Sequence, residues 1–215
     1  MDQDESRLTT EPVRSSRDPA VLSARLEAWL QGVVGDESAS VTNLSVPAGS
    51  GMSSETLLFD ARWTDGGRRP ATSALVARLA PAAVVVPVFP IFDLDLQFRV
   101  LDLVAANSVV PVPGVRWLEL DDNHIGSPFF VMDQVQGRVP ADIPPYVFEG
   151  WLLEAEPADQ RRLQDASVDV LAALHGIDIA QLDTAFLRTD APGATALDRH
   201  VNHQRWFYDW TRGDR

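Results

Sequence analysis

The sequence predicts an α+β fold: a five-stranded antiparallel sheet with one helix inserted after the third strand, followed by a helical region. Three observations carry this. Short β-rich runs at 41–46, 56–63 and 73–79 are separated by turn residues. A helical pattern near 93–106 then interrupts the strands, and two more follow at 115–120 and 129–132. Beyond Met132 strand signals stop, and from Pro157 apolar residues recur at helical intervals.

The elements follow in order. Residues 1–17 are polar and charged without apolar periodicity, and read as a disordered tail. Asp18-Pro19 is a helix start, with Asp as N-cap and Pro at the first helical position. Leu22, Leu26, Trp29, Leu30 and Val33 follow at helical spacing, and Gly35 stops the element. The first strand leads into the flexible turn PAGSGMSS, residues 47–54. The second and third strands are joined by the hairpin turn Thr64-Asp65-Gly66-Gly67. A proline-punctuated segment, 81–90, precedes the inserted helix, and the last two strands form a second hairpin around Asp121-Asp122-Asn123. A first lobe thus spans 18–132, a polar crossing 133–139, and a helical region 140–215. In the last, Leu163, Ala166, Val170, Leu171 and Leu174 share one helical face, and 198–210 forms a further aromatic-rich helix.

Composition narrows the function classes. The net charge of −13 and pI near 4.6 disfavour a non-specific binder of nucleic acid or of anionic membrane, which needs a basic patch. There is no cysteine, which removes disulfides and thiolate metal sites and fits a cytoplasmic setting. No apolar run approaches the roughly 20 residues that span a bilayer, and the charged N-terminus lacks the apolar segment of a secretory signal. There is also no lysine: all 18 basic residues are arginine.

The stretch 125–139, IGSPFFVMDQVQGRV, is the most informative. Gly126-Ser127-Pro128 breaks any helix, and the apolar run Phe129–Met132 suits a strand buried on both faces. Asp133, Gln134, Gln136 and Gly137 then turn the chain polar without a helix cap. Such a strand followed by such a crossing has the look of a kinase hinge, where backbone groups rather than particular side chains hold adenine.

Other residues carry possible chemistry. The Gly49-Ser50-Gly51 turn lets backbone N–H groups approach an anion, but it lacks the Gly-Lys-[Ser/Thr] ending of a Walker loop, and taken alone it suits plain turn chemistry better. Arg78 alternates within the apolar strand ALVARL, where a cation must reach solvent or find an anion. A planar guanidinium suits a phosphate there. On the inserted helix, Gln97 is a polar residue on a face shared with Asp93, Val100, Leu101 and Val104. Gln97 or Asp93 is placed to face Arg78, and Asp93 equally suits an N-cap. His175 ends an apolar helix and has no asparagine at the offset of a catalytic loop, while His200 and His203 lack a further convincing ligand for a metal.

Taken in order, GSGMSSETLLFDA, ALVARLAP, LDLQFRVL, VPVPGVRWLELDDNHIGSPFFVMDQVQGRVPAD and LAALHGID resemble the aminoglycoside phosphotransferase and choline kinase-like family. The similarity covers about 20–210 and is nearest the branch of kinase-like domains fused to acyl-CoA dehydrogenases. It implies a protein-kinase-like N-terminal lobe, a hinge and the start of a helical C-terminal lobe. It also implies ATP and magnesium as cofactors and a hydroxyl of a small molecule as phosphate acceptor. By this resemblance the loop Gly49, Ser50, Gly51, Met52 and Ser53 covers the nucleotide, Arg78 takes the third-strand cation position and Gln97 its partner position. Met132 lines the back of the adenine pocket, while the carbonyl of Asp133 and the N–H of Val135 bond adenine.

Departures from the family pattern set further expectations. Glutamine and arginine stand where glutamate and lysine are usual, and no catalytic His-Gly-Asp…Asn loop is recognised. Eighty-three residues follow Met132, whereas a whole C-terminal lobe needs on the order of 100–200. The expectation is therefore a nucleotide-binding portion with no catalytic or metal residues of its own, inactive alone. Self-association or a complementing C-terminal lobe is expected. The alternative is a non-catalytic nucleotide- or partner-binding remnant.

Overall fold

A computed structural model describes residues 18–47, 55–65, 69–81, 89–141 and 144–213. The elements run α1 (Pro19–Val34), β1 (Ser40–Ser45), β2 (Glu55–Asp65), β3 (Arg69–Leu79), α2 (Leu94–Asn107), β4 (Val115–Glu119) and β5 (Phe129–Asp133). Then come α3 (Trp151–Glu154), α4 (Pro157–His175), two 3-10 turns (Ile179–Gln181 and Ala185–Leu187) and α5 (Ala196–Gly213). The five strands form one sheet in the order β1-β2-β3-β5-β4. The predicted 1–17 tail lies outside the described residues.

The chain divides into two compact units, residues 1–88 with 119–131, and residues 89–118 with 132–215. In the first, α1 begins as its sequence dictates. The Asp18 carboxylate accepts from the Ala20 N–H at 2.8 Å, and Pro19 occupies a position whose N–H would have no helical partner. Gly35 ends it in the left-handed region (φ 66°). Leu22, Leu26, Trp29 and Leu30 are buried along one stripe, whereas Val33, expected on that face, is exposed in the last turn.

Trp29 meets Phe129 edge-on, with ring centroids 4.7 Å apart, and its indole N–H donates to the Glu119 carboxylate at 3.1 Å. This satisfies the polar end of a buried ring while the rest of it fills the core. The strand run Phe129, Phe130 and Val131 is 0%, 1% and 0% exposed, so β5 is covered on both faces as its unbroken apolar sequence requires.

β2 and β3 pair antiparallel from Glu55↔Leu79 to Asp65↔Arg69. β3 thus begins four residues before the expected Ser73, because its partner β2 runs to Asp65 and the ladder continues along it to Asp65↔Arg69, Pro70 included. β1 carries a bulge between Thr42 and Ser45, where Asn43 takes φ 56° and its amide donates to Asp60. Asparagine tolerates that region better than most residues, and the bulge bends β1 near its C-terminal end. Ser127, a buried polar residue, donates its hydroxyl to the Ala80 carbonyl at 3.0 Å, and the Ala80 N–H donates to the Pro128 carbonyl. The exit of β3 is thereby tied to the entrance of β5.

Asp36 ties the end of α1 to β2. Its carboxylate accepts from the Ser38 hydroxyl and N–H and, across the fold, from the Thr64 N–H at 2.7 Å. The Ser38 hydroxyl first, then the Thr64 N–H, hold this carboxyl below the usual aspartate value.

In the second unit, α2 starts at Asp93, whose carboxylate accepts from the Leu96 N–H at 2.8 Å, and buries Leu94 and Val104. The guanidinium of Arg99 stacks on Phe186, 4.0 Å from its centroid. The helix predicted from Pro157 to His175 forms with those limits as α4, and α5 covers the predicted 198–210 segment. Neither α4 nor α5 contains a buried residue among those described. No helix among the described residues is long and apolar enough to cross a membrane.

Two outcomes test this packing. Phe129→Ala should destabilise the chain by about 3–5 kcal/mol and Phe129→Leu by less than about 1.5, read by urea unfolding; equal midpoints for the two would contradict the tight fit. Because the folded pKa of Asp36 is depressed, its stabilisation is complete above the ordinary aspartate value and is lost as pH falls through the folded one. Asp36→Ala should therefore lower Tm at pH 7, and its Tm gap to the unsubstituted chain should close in acid.

Candidate functional site

The residues singled out by sequence fall in three places. Gly49, Ser50, Gly51, Met52 and Ser53 lie outside the described residues. Arg78 belongs to the first unit, and Gln97, Met132, Asp133 and Val135 to the second.

Arg78 sits in β3 opposite Thr56 of β2, in a strand whose Leu75, Val76, Ala77 and Leu79 are all buried. Its backbone place is fixed by the ladder, so the guanidinium is carried into partly dry surroundings. Burial pushes its pKa below the ordinary arginine value, yet a guanidinium stays charged. Its Nε is fully covered and has no hydrogen-bond partner among the described residues. A buried donor left unpaired costs about 1–3 kcal/mol. Such a group is set up to gain from an incoming anion, and phosphate matches its fork.

Gln97 is half-buried one turn into α2, and its backbone N–H reaches the Asp93 carbonyl at 3.3 Å. Asp93, the other residue considered as a partner for Arg78, uses its carboxylate as the cap of α2.

Met132 and Asp133 end β5, and residues 134–141 have no regular structure. Asp133 is held from three directions. Its N–H donates to the Gly114 carbonyl at 2.8 Å, and its carboxylate accepts from the Arg116 Nε at 2.8 Å. The other carboxylate oxygen lies so close to Gly114 that a Cβ there would stand 2.7 Å from it. Two residues on, Val135 is 67% exposed, and its N–H finds no acceptor among the described residues. The crossing is held again at its far end, where Trp151 donates to the Val139 carbonyl at 3.2 Å and carries the Arg138 guanidinium 4.6 Å from its ring centre. A short backbone span is thus fixed at both ends, with exposed polar groups between.

Gly114 and Arg116 were not singled out by sequence reasoning. A signal existed: Val-Pro-Val-Pro-Gly runs straight into a strand, and glycine at such a place marks a close backbone approach. A broad open depression in the second unit, lined by Arg138, Trp151, Glu154, Ala155, Asp159 and Arg162, contains none of the residues assigned to the nucleotide. Among the described residues no group of three or more His, Asp or Glu side chains is placed to hold a metal.

The model of the phosphotransferase enzyme family, APH, matches residues 58–215. The chain belongs to the phosphotransferase enzyme family. A crystal structure from Ralstonia eutropha JMP134, provisionally described as an aminoglycoside phosphotransferase, superposes with a TM-score of 0.52 and 25% identity. That similarity covers 89% of this chain and 47% of the other. Two curated relatives are each 28% identical: acyl-CoA dehydrogenase family member 10 of Mus musculus over 170 residues, and the probable acyl-CoA dehydrogenase IBR3 of Arabidopsis thaliana over 118. The matches take in 79% and 53% of this chain but 14% and 12% of those proteins. The chain therefore spans a small part of the curated relatives and about half of the solved structure. Both names fall in the branch that the sequence resemblance indicated, and the α+β kinase-like architecture agrees with the family.

In this phosphotransferase-family chain, Arg78 should be a burden on stability when no ligand is present. Arg78→Met keeps the length and packing of the side chain and removes the covered, unpaired Nε. It should raise stability by about 1 kcal/mol in urea unfolding, the low end of the cost of an unpaired donor. A marked loss of stability would show that Arg78 is a structural residue with partners outside the described segments.

Proposed function

We propose that this chain is the nucleotide-binding portion of an ATP-dependent phosphotransferase whose acceptor is a hydroxyl of a small molecule. The observation that carries the reading is the half-buried Arg78, whose covered Nε lacks a partner among the described residues, on a central strand of a phosphotransferase-family fold. A cation in dry surroundings attracts phosphate more strongly than one in water, because less screening separates the charges. The Val135 N–H, free among the described residues, and the carbonyl of Asp133 supply the donor–acceptor pair that an adenine edge requires. The Gly49–Ser53 loop is assigned to the phosphates and Gln97 to the partner position of the helix, both from the family pattern.

The reaction transfers the γ-phosphoryl group in line: the acceptor oxygen bonds to phosphorus as the bond to the bridging oxygen of ADP breaks. Magnesium would neutralise the phosphates during that step, and no residue described here is assigned to hold it. Nor is one assigned to take the acceptor proton. The residues assigned serve binding: Arg78 toward the phosphates, Asp133 and Val135 toward the base.

A second reading, a non-catalytic module that binds a partner polypeptide, draws on α4 and α5, which hold no buried residue. Leu163, Val168 and Leu171 of α4 are each at least 40% exposed, and apolar surface of that kind gains from being covered. Self-association or a complementing helical lobe would supply the cover.

Ligand titrations followed by NMR separate the readings. ATP and inorganic tripolyphosphate should both bind, and Arg78→Met should weaken both by about tenfold, as expected for loss of a charged hydrogen bond. Adenosine binding should be unchanged by that substitution. ATP affinity indifferent to Arg78→Met, or no ATP binding at millimolar concentration, would overturn the nucleotide reading and favour the partner-binding one.

A further inference from the structure

We infer that Gly114 and Arg116 are positioning residues that hold the backbone of 133–135 in register for a nucleobase. The inference rests on the nucleotide-binding reading above and adds to it the part of the chain that sets the geometry of the base site.

The argument starts from what a backbone-only contact needs. Two hydrogen bonds to a planar base demand a carbonyl and an N–H held within a few tenths of an ångström, and a free loop would lose that order to conformational entropy. Val135 belongs to no helix or strand, so nothing in its own segment fixes it. The nearest fixed residue is Asp133, whose N–H is committed to the Gly114 carbonyl. That single bond leaves the side chain free to swing, and the side chain is fixed by two further contacts. Arg116 grips one carboxylate oxygen at 2.8 Å, and the other lies over Gly114, where any Cβ would collide at 2.7 Å. Gly114 has no need of a left-handed conformation; a Cβ there would press on the Asp133 carboxylate and displace it, so glycine is what leaves that side chain its seat.

The ion pair is an ordinary surface one by exposure, with side chains 43% and 38% exposed, and such pairs add little stability. Its use is directional. The Nε contact and the glycine seat together favour one orientation of the Asp133 side chain, and the peptide that follows leaves from there. Trp151 holds the other end at Val139. A span tied at 133 and 139 presents the same edge each time.

The test is a double-substitution cycle on the intact chain, with adenosine and inorganic tripolyphosphate as probes. Gly114→Ala and Asp133→Ala should each weaken adenosine about tenfold, and the double variant should be no weaker than either single one, because both act through the same contact. Tripolyphosphate binding should be unchanged throughout. Arg116→Ala should follow the same pattern and Arg116→Lys should recover part of the loss. Without ligand, exchange of the Val135 amide proton should be unaltered while its NMR shift moves in all three alanine variants, a change that a merely stabilising ion pair would not produce. Equal loss of adenosine and tripolyphosphate would show general damage to the fold and overturn the inference, as would strictly additive effects of Gly114→Ala and Asp133→Ala. If Gly114→Ala does not fold, the Arg116 and Asp133 pair decides alone by the same criteria. Failure of the unsubstituted chain to bind adenosine, with tripolyphosphate still bound, would instead remove the base-binding reading, and this inference with it.

Discussion

The dry strand β5 is the constraint on which the other elements depend. Phe129, Phe130 and Val131 are covered on both faces, and β5 lies between β3 and β4 rather than at an edge. A strand in that position cannot shift by one residue without exchanging the faces of its side chains, and both faces here are packed. Trp29 of α1 closes on Phe129, and Ser127 with Pro128 ties the entrance of β5 to the end of β3. The place where β5 ends is therefore fixed, and so is the residue at which the chain turns polar. Asp133 emerges at a set position because the three apolar residues before Met132 have nowhere else to go.

Arg78 shows the opposite side of the same physics. A strand with Leu75, Val76, Ala77 and Leu79 buried would gain stability from another apolar residue at 78, and instead it carries a charge into the dry region. Local preference and global packing usually agree in a natural sequence, and where they conflict a functional site is the expected reason. The conflict here is specific: the Nε of Arg78 is covered and has no hydrogen-bond partner among the described residues. Asp36, in contrast, is an acidic group whose every oxygen contact is local or structural, and it needs no ligand to explain it.

How much of this was legible in the sequence depended on whether the controlling signal was local. The helix α4 was readable to the residue because Pro157 starts it and Gly176 follows it. The caps Asp18 and Asp93 were readable for the same reason. β3 was placed four residues short, since what extends it is its partner strand β2 and not its own composition. Val33 continued the apolar pattern of α1 but is exposed, because periodicity says which face a residue shares and not how far the cover reaches. The crossing at 133–139 was visible as an abrupt polar turn. Its support was not, because Gly114 and Arg116 are about twenty residues away and meet Asp133 only through the β4–β5 hairpin.

The absence of lysine gives these observations a common chemistry. Every cation in the chain is a flat, delocalised fork, and the fold uses it as such. Arg99 lies on Phe186, Arg138 on Trp151 and Arg212 near Tyr208, each contributing an apolar face to an aromatic ring as well as a charge. Arg116 uses the edge of the fork, directing one N–H at Asp133. A lysine ammonium, more strongly hydrated and without a plane, could neither stack in this way nor fix an orientation through a single contact. In a chain of net charge −13 these arginines are outnumbered by carboxylates. Among the described residues the Nε of Arg78 is covered and has no partner, in a protein rich in carboxylates, and that contrast, more than its charge, makes the third strand the place we propose for an anion.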